Sequence, residues 1–242
     1  MTQVFTQVTD ADREALVDFM FAHAPIMMFP LTNLTRYGLG GDDPRAISAW
    51  VMKDGERIMD VLTISQEGMV FPCCPNQHWP EAAVVAAGRS IKGFVGDGTQ
   101  VAALRRAMGL TQPAMLDVTE PSFLLNLADL VMPATQGFTL HPLSAAPHDL
   151  MVEWRAAYDV ETLSVPKVGA DVRANTQIRN FMAADSHRVL FQGDTPVAMT
   201  GFNATLPEIV QVGGVYTPPA MRSQGFARKA LALHLAEVSV DG

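Results

Sequence analysis

The stretch Ile209-Val210-Gln211-Val212-Gly213-Gly214-Val215-Tyr216-Thr217, followed by Pro218-Pro219 and then Arg222-Ser223-Gln224-Gly225-Phe226-Ala227, decides how the rest of the 242-residue chain is read. Its first part is rich in Val, Ile and Tyr, the residue types that suit a pleated strand. Two prolines stop that strand. Past Gly225 the apolar spacing becomes that of a helix, with Ala227, Ala230, Leu231, His234, Leu235 and Val238 recurring at steps of three and four. A strand that reopens as a helix behind a glycine presents several backbone N–H groups with no intrahelical partner. Those donors and the positive end of the helix dipole favour an anion, and Gly225 lets it approach the backbone with no Cβ in the way. The expectation is a pyrophosphate cradle, with Arg222 adding charge. His234 reads as a core-edge side chain, two turns away from it.

Bulk properties narrow the surroundings of that cradle. Apolar residues make up 48% of the chain and charged ones 17%, and no window approaches the roughly 18 uninterrupted apolar residues of a membrane span. The most apolar window, residues 19–31, is interrupted by His23, Pro25 and Pro30. The start Met1-Thr2-Gln3-Val4 has no basic region followed by an apolar core, so a cytoplasmic location is expected. A net charge of -8 argues against a nucleic-acid surface, which needs clustered Lys and Arg. The partner expected is a small molecule, with no nucleic acid and no membrane; oligomeric state is not legible. Cys73 and Cys74 are neighbours flanked by Pro72 and Pro75, a spacing for neither zinc nor a disulfide framework, and no H-E-x-x-H or C-x-x-C occurs. No metal is expected. Hydrolase chemistry is equally unsupported, since no G-x-S-x-G elbow is present.

The remaining chain reads as two successive halves. Thr9-Asp10-Ala11-Asp12 is a capping box opening a helix to about Ala24. Residues 38–44 form a loop. Residues 47–52 and 57–65 alternate as strands around the turn Lys53-Asp54-Gly55-Glu56, and residues 69–71 supply a third strand. A small-residue helix (81–87), a strand (90–95), the turn Gly96-Asp97-Gly98 and a helix (99–108) follow. This last strand, glycine turn and helix imitate the C-terminal cradle without its basic head or full glycine spacing. Residues 113–118 and 123–130 are expected to complete the half with strands or a short helix. Pro133-Ala134-Thr135-Gln136-Gly137 reads as a linker. Beyond it come a strand (138–140), a helix opened by Pro147 with Leu150, Met151, Trp154 and Tyr158 on one stripe, a helix (175–184), a hairpin (188–202) and the strand ending at Thr217.

The pattern Arg222-x-x-Gly225-x-Ala227 after Val215-Tyr216-Thr217 resembles the Q/R-x-x-G-x-G/A signature of the GNAT superfamily of N-acetyltransferases, and Gly214-Val215-Tyr216-Thr217-Pro218-Pro219 is close to the wording of many bacterial members. The resemblance implies an α/β (α+β) fold of two GNAT-like halves, each a mixed, mainly antiparallel sheet flanked by helices. Residues 1–132 would be a degenerate half and residues 138–242 the competent one. It implies acetyl-coenzyme A as co-substrate and a primary amine, of a small molecule or an aminoacyl group, as acceptor. Main-chain atoms of Val215, Tyr216 and Thr217 would hold the pantetheine arm, and Arg222, Ser223, Gln224, Gly225, Phe226, Ala227 and Arg228 the pyrophosphate. Glu208 occupies the kind of position from which family members draw a proton, directly or through water; a solvent-facing glutamate at a strand end reads the same. The family's general acid, a tyrosine beyond the next strand, has no counterpart before Asp241-Gly242. The C-terminal half is therefore expected either to be truncated after its coenzyme-binding helix or to have lost catalysis, leaving a non-catalytic acyl-coenzyme A sensor or interaction module as the alternative.

Overall fold

The computed structural model describes residues 4–240, and the chain divides into two compact units, Met1–Phe123 and Leu124–Gly242. The first opens on strand β1 (Thr6–Gln7) and the expected capping box. The Asp12 carboxylate accepts from the Thr9 amide at 3.3 Å and from its hydroxyl at 3.1 Å, closing a short 3-10 turn. Helix α1 (Arg13–Ala22) follows and stops at His23, near the expected end. A second helix, α2 (Ala24–Tyr37), was not legible, because Pro25 and Pro30 argue against one. Pro25 falls in the first turn, where its missing N–H costs nothing. Pro30 costs about 3 kcal/mol inside a helix, but Met27, Leu31 and Leu34 are fully buried on the same face, and each contributes about 1.5–3 kcal/mol. Burial wins.

The rest of the first unit comprises β2 (Ile47–Asp54), β3 (Arg57–Ser65), β4 (Met69–Cys73), α3 (Trp79–Ala87), β5 (Gly93–Phe94) and α4 (Gly98–Ala107). The sheet runs β1-β2-β3-β4-β5, antiparallel except for the parallel pair β4–β5. Trp50, Leu62, Val70 and Leu104 join it to α3 and α4 in one core cluster. Strand β5 is two residues long where six were expected. Between residues 110 and 136 the only regular element among the described residues is a 3-10 turn, Leu127–Asp129, so of the strands or helix expected there only that turn forms.

The second unit contains β6 (Phe138–Pro142), α5 (His148–Thr162), α6 (Ala170–Ala183), β7 (His187–Gln192), β8 (Thr195–Thr205), β9 (Val210–Tyr216) and α7 (Phe226–Val240). Its sheet runs β6-β7-β8-β9, antiparallel throughout. Neighbouring residues on a strand face opposite ways, and this divides the core. Val189, Met199 and Tyr216 meet Met151 and Trp154 of α5 and Ile178 of α6, whereas Leu190, Val197 and Ala198 meet Phe226 and Ala230 of α7, Val197 joining its neighbour Ala198 because the β7–β8 register shifts there. Strand β9 is the sheet edge, with no strand on its outer side among the described residues.

The two units share one order of elements: strand, two helices, three antiparallel strands, helix. In the first unit this is β1-α1-α2-β2-β3-β4-α3, and β5 and α4 follow as additions that the described residues of the second do not have. This corrects one expectation. The counterpart of the loop between β9 and α7 is Cys74-Pro75-Asn76-Gln77-His78, between β4 and α3, and not Gly96-Asp97-Gly98 before α4. Local pattern matching landed one strand and helix too late, because strand, glycine and helix recur in both places.

Candidate functional site

Strand β9 does not run evenly along β8. The register passes from Gly201↔Gly213 to Met199↔Tyr216, so Gly214 and Val215 together face Thr200. Two residues opposite one make a bulge, which bends the strand and raises its twist. Gly214 sits at φ +63°, a conformation that L side chains rarely adopt, and a Cβ there would meet the His187 ring. Past Tyr216 the chain turns through a 3-10 segment (Pro219–Met221) into Arg222-Ser223-Gln224-Gly225.

That loop takes left-handed backbone twice, at Ser223 (φ +64°) and Gly225 (φ +75°). The ladder of α7 begins with the Lys229 amide donating to the Gly225 carbonyl at 3.1 Å. Among the described residues no backbone carbonyl accepts from the amides of Phe226, Ala227 and Arg228, the open first turn of the helix. Phe226 anchors this turn, buried against Phe138 at 5.7 Å between ring centroids. Ser223, Gln224, Gly225 and Arg228 are exposed, and Ala227 is half-buried. The loop thus offers free amides, an open glycine and solvent access, which fits a phosphate group.

Arg222 is engaged elsewhere. Its Nη1 and Nη2 donate to Glu161 at 2.8 and 2.7 Å, a bidentate fork, and its Nε donates to the Thr217 carbonyl at 2.9 Å. The Arg222 hydrogen bond lowers the Glu161 pKa. The arginine therefore staples the end of α5 to the loop. A cation not singled out in the sequence lies nearer the glycine: Lys229 Nζ is 3.5 Å from the Cβ position of Gly225. Its place four residues past Gly225, on the same side of the first turn, was the available signal.

Val215 and Thr217 are half-buried, and Tyr216 packs inward against Trp154 at 6.2 Å, where burial raises its phenol pKa. Glu208 is exposed in the turn before β9, at the opposite end of a strand about 20 Å long. His234 is 2% exposed and stacks on Phe202 at 3.8 Å, the core position expected of it.

Sequence reasoning missed a buried polar cluster beneath β9. Arg155 and Asp159 on α5, Gln177 and Phe181 on α6 and His187 on β7 converge below Gly214. Arg155 Nε donates to Gln177 at 2.8 Å, and its Nη2 lies 2.9 Å from Asp159 Oδ1, off the axis of a hydrogen bond. Burial lowers the Arg155 pKa and raises that of Asp159. His187 is 1% exposed, and burial, helped by Arg155, pushes its pKa down to about 3. The sequence held a faint signal in Arg155 and Asp159, an i,i+4 pair on the buried stripe of α5.

The matching loop of the first unit is already filled. Asp60, fully buried on β3, accepts from the Asn76 amide at 2.8 Å, from the His78 amide at 3.2 Å, and contacts His78 Nδ1 at 2.7 Å. A carboxylate of the chain itself stands where an anion would otherwise meet the loop amides. The Gly96-Asp97-Gly98 turn is closed in the same manner, the Asp97 side chain accepting from the Thr99 and Gln100 amides at 3.0 Å each. Nearby Cys73 and Cys74 are free and buried, and burial pushes the Cys73 thiol up to about 12. Among the described residues no helix is long and apolar enough to cross a membrane, and no group of three His, Cys, Asp or Glu is placed to hold a metal.

Similar solved structures are GNAT proteins. An acetyltransferase of the GNAT family from Colwellia psychrerythraea is 11% identical, with 98% of this chain and 86% of that one covered and a TM-score of 0.47. A tandem GNAT protein from the clavulanic acid biosynthesis pathway, without AcCoA, is 15% identical over 99% of this chain and 86% of the other, with a TM-score of 0.49. A GCN5-related glucosamine N-acetyltransferase region of a fungal multi-domain GH3 beta-N-acetylglucosaminidase is 11% identical, covering all of this chain and 34% of that one, with a TM-score of 0.48. No family profile matches the chain, and no curated protein is similar to it in sequence.

Proposed function

We propose that the second unit binds acetyl-coenzyme A and transfers its acetyl group to a primary amine, of a small molecule or an aminoacyl group. The observation that carries this reading is the continuous path formed by the β9 bulge, the left-handed loop Ser223–Gly225 and the open first turn of α7. Acetyl-coenzyme A brings an activated thioester carbonyl. The chain's own part is to bind and orient. The amides of Phe226, Ala227 and Arg228, with Lys229 beside Gly225, hold the pyrophosphate. The unpaired outer edge of β9 at Val215 to Thr217 holds the pantetheine arm by main-chain hydrogen bonds, and one of its N–H groups polarises the carbonyl. Glu208, exposed before β9 and about 20 Å of strand away from Val215, is beyond the reach of one water and is not given the amine proton. The first unit, its loop occupied by Asp60, binds no second coenzyme.

A second reading, coenzyme binding without turnover, is favoured by one observation. Acetyl transfer needs a proton source for the departing thiolate, and Tyr216, the tyrosine on β9, is turned into the core against Trp154. Calorimetry with acetyl-coenzyme A tests the shared part: one site per chain is expected, weakened about 100-fold or more by Gly225→Glu, which puts a carboxylate into the anion site. No binding by the wild type, or equal binding by the variant, overturns the assignment. Thiol release across a panel of amines then separates transferase from sensor.

A further inference from the structure

Strand β7 begins at His187, whose ring lies in a slot built by glycines. Gly201 faces it across the β7–β8 pair, and a Cβ there would overlap the ring. Gly214 of the β9 bulge forms the next wall, where a Cβ would lie 2.8 Å from Nε2. Phe181 of α6 stacks on the ring from behind at 3.7 Å and 12°. Nδ1 is 2.9 Å from Ser186 Oγ, whereas Nε2 has no partner among the described residues. Arg155 Nη1 approaches the same point, 3.6 Å from the Gly214 Cβ position, braced by Gln177 and Asp159.

A buried ring nitrogen without a partner is an unfavourable feature that an all-carbon ring avoids. What the imidazole does is fill the space under two residues of β9 that have no pairing partner of their own on β8. It fixes how far the strand is pushed out there, and burial keeps it uncharged.

We propose that His187 is a positioning residue: a wedge that sets the β9 bulge at Gly214 and so aims the outer-edge groups of Val215 and its neighbours at the acyl end of the bound thioester. The proposal rests on the coenzyme reading above. It separates two parts of one ligand, since the pyrophosphate is held by the α7 loop and the acyl group by the bulge. Loss of the wedge therefore leaves the pyrophosphate contacts in place and weakens the acyl end more than the rest of the ligand.

The test compares acetyl-coenzyme A with coenzyme A by calorimetry on the full chain, for wild type, His187→Ala and Gly214→Ala, with thermal melts of each. The first variant removes the ring that fills the slot beneath the bulge. The second attacks the bulge from the strand side, its Cβ pressing on an unsubstituted His187, so that misfolding of one does not end the test. Wild type is expected to prefer acetyl-coenzyme A, and each variant to lose that preference by about tenfold, any loss of affinity for coenzyme A through the pantetheine contacts falling short of the loss for acetyl-coenzyme A. Equal weakening for both ligands shows a scaffold role only and overturns the proposal, as does an unchanged preference or a wild type that has none. A wild type that binds neither ligand overturns the coenzyme reading itself, and the wedge with it.

Discussion

His187 and His234 make the second unit acid-sensitive between about pH 7 and pH 5. Burial holds both below their ordinary value of 6.5, His187 at about 3 and His234 at about 4, with the cations Arg155 and Arg188 adding to the effect. In the unfolded chain both titrate near 6.5. Below that pH the unfolded state binds two protons that the folded state refuses, so stability falls as the pH drops and levels off only when the folded values are reached. Each unit of pH costs about 1.4 kcal/mol per histidine. Between about pH 7 and pH 5 this amounts to about 2 kcal/mol for each, or about 4 kcal/mol together. Asp159, whose pKa is raised, opposes the trend, because its folded form takes up a proton sooner than its unfolded form. Asp12, Asp97 and Glu161 are held low, so their contributions are lost only below their ordinary values of 3.8 and 4.5, outside this window. Urea unfolding at both pH values, followed by Trp154 fluorescence in a Trp50→Phe, Trp79→Phe background, reports the second unit. His187→Phe and His234→Leu should each remove about half of the drop. Equal stability at both pH values, or the full drop in the double variant, refutes the reasoning.

Two further outcomes follow from single contacts. Glu161→Gln releases the fork on Arg222 and frees the loop between β9 and α7, so the dissociation constant for acetyl-coenzyme A should rise several-fold in dilute buffer. The difference from wild type should shrink near 1 M salt, where exposed charges are screened within about 3 Å; calorimetry at two salt concentrations reads both. Asp60→Asn leaves the amides of the first unit's filled loop with a weaker acceptor and should lower that unit's stability by about 3 kcal/mol, while coenzyme stoichiometry stays at one per chain. Denaturation followed by Trp79 fluorescence and a binding titration check the two halves of that statement.

Legibility tracked the range of the forces involved. The strands at 57–65 and 188–192, the turn at Gly55 and the helix after Gly225 were readable because alternation, glycine and helical spacing act within a few residues. The α2 helix was not, since its prolines speak against it locally and its stabilisation comes from burying Met27, Leu31 and Leu34 in a helix that lies against β2 and β4. The glycine turn at 96–98 misled for the converse reason: it has the right local pattern, but the order of strands assigns the cradle's counterpart to the Cys74–His78 loop.

The same division runs through the site. From the sequence alone came the strand, the proline stop, the glycine and the helix start, because a loop that presents free amides is a local backbone property. Tertiary structure alone decided that Arg222 is held by Glu161, that Lys229 lies beside Gly225, that Asp60 fills the first unit's loop and that His187 sits under the β9 bulge. Those partners are 61, 4, 16 and 27 residues apart along the chain. Even the short separation depends on which way a helix face turns, and the long ones on which strands become neighbours, which no local pattern encodes.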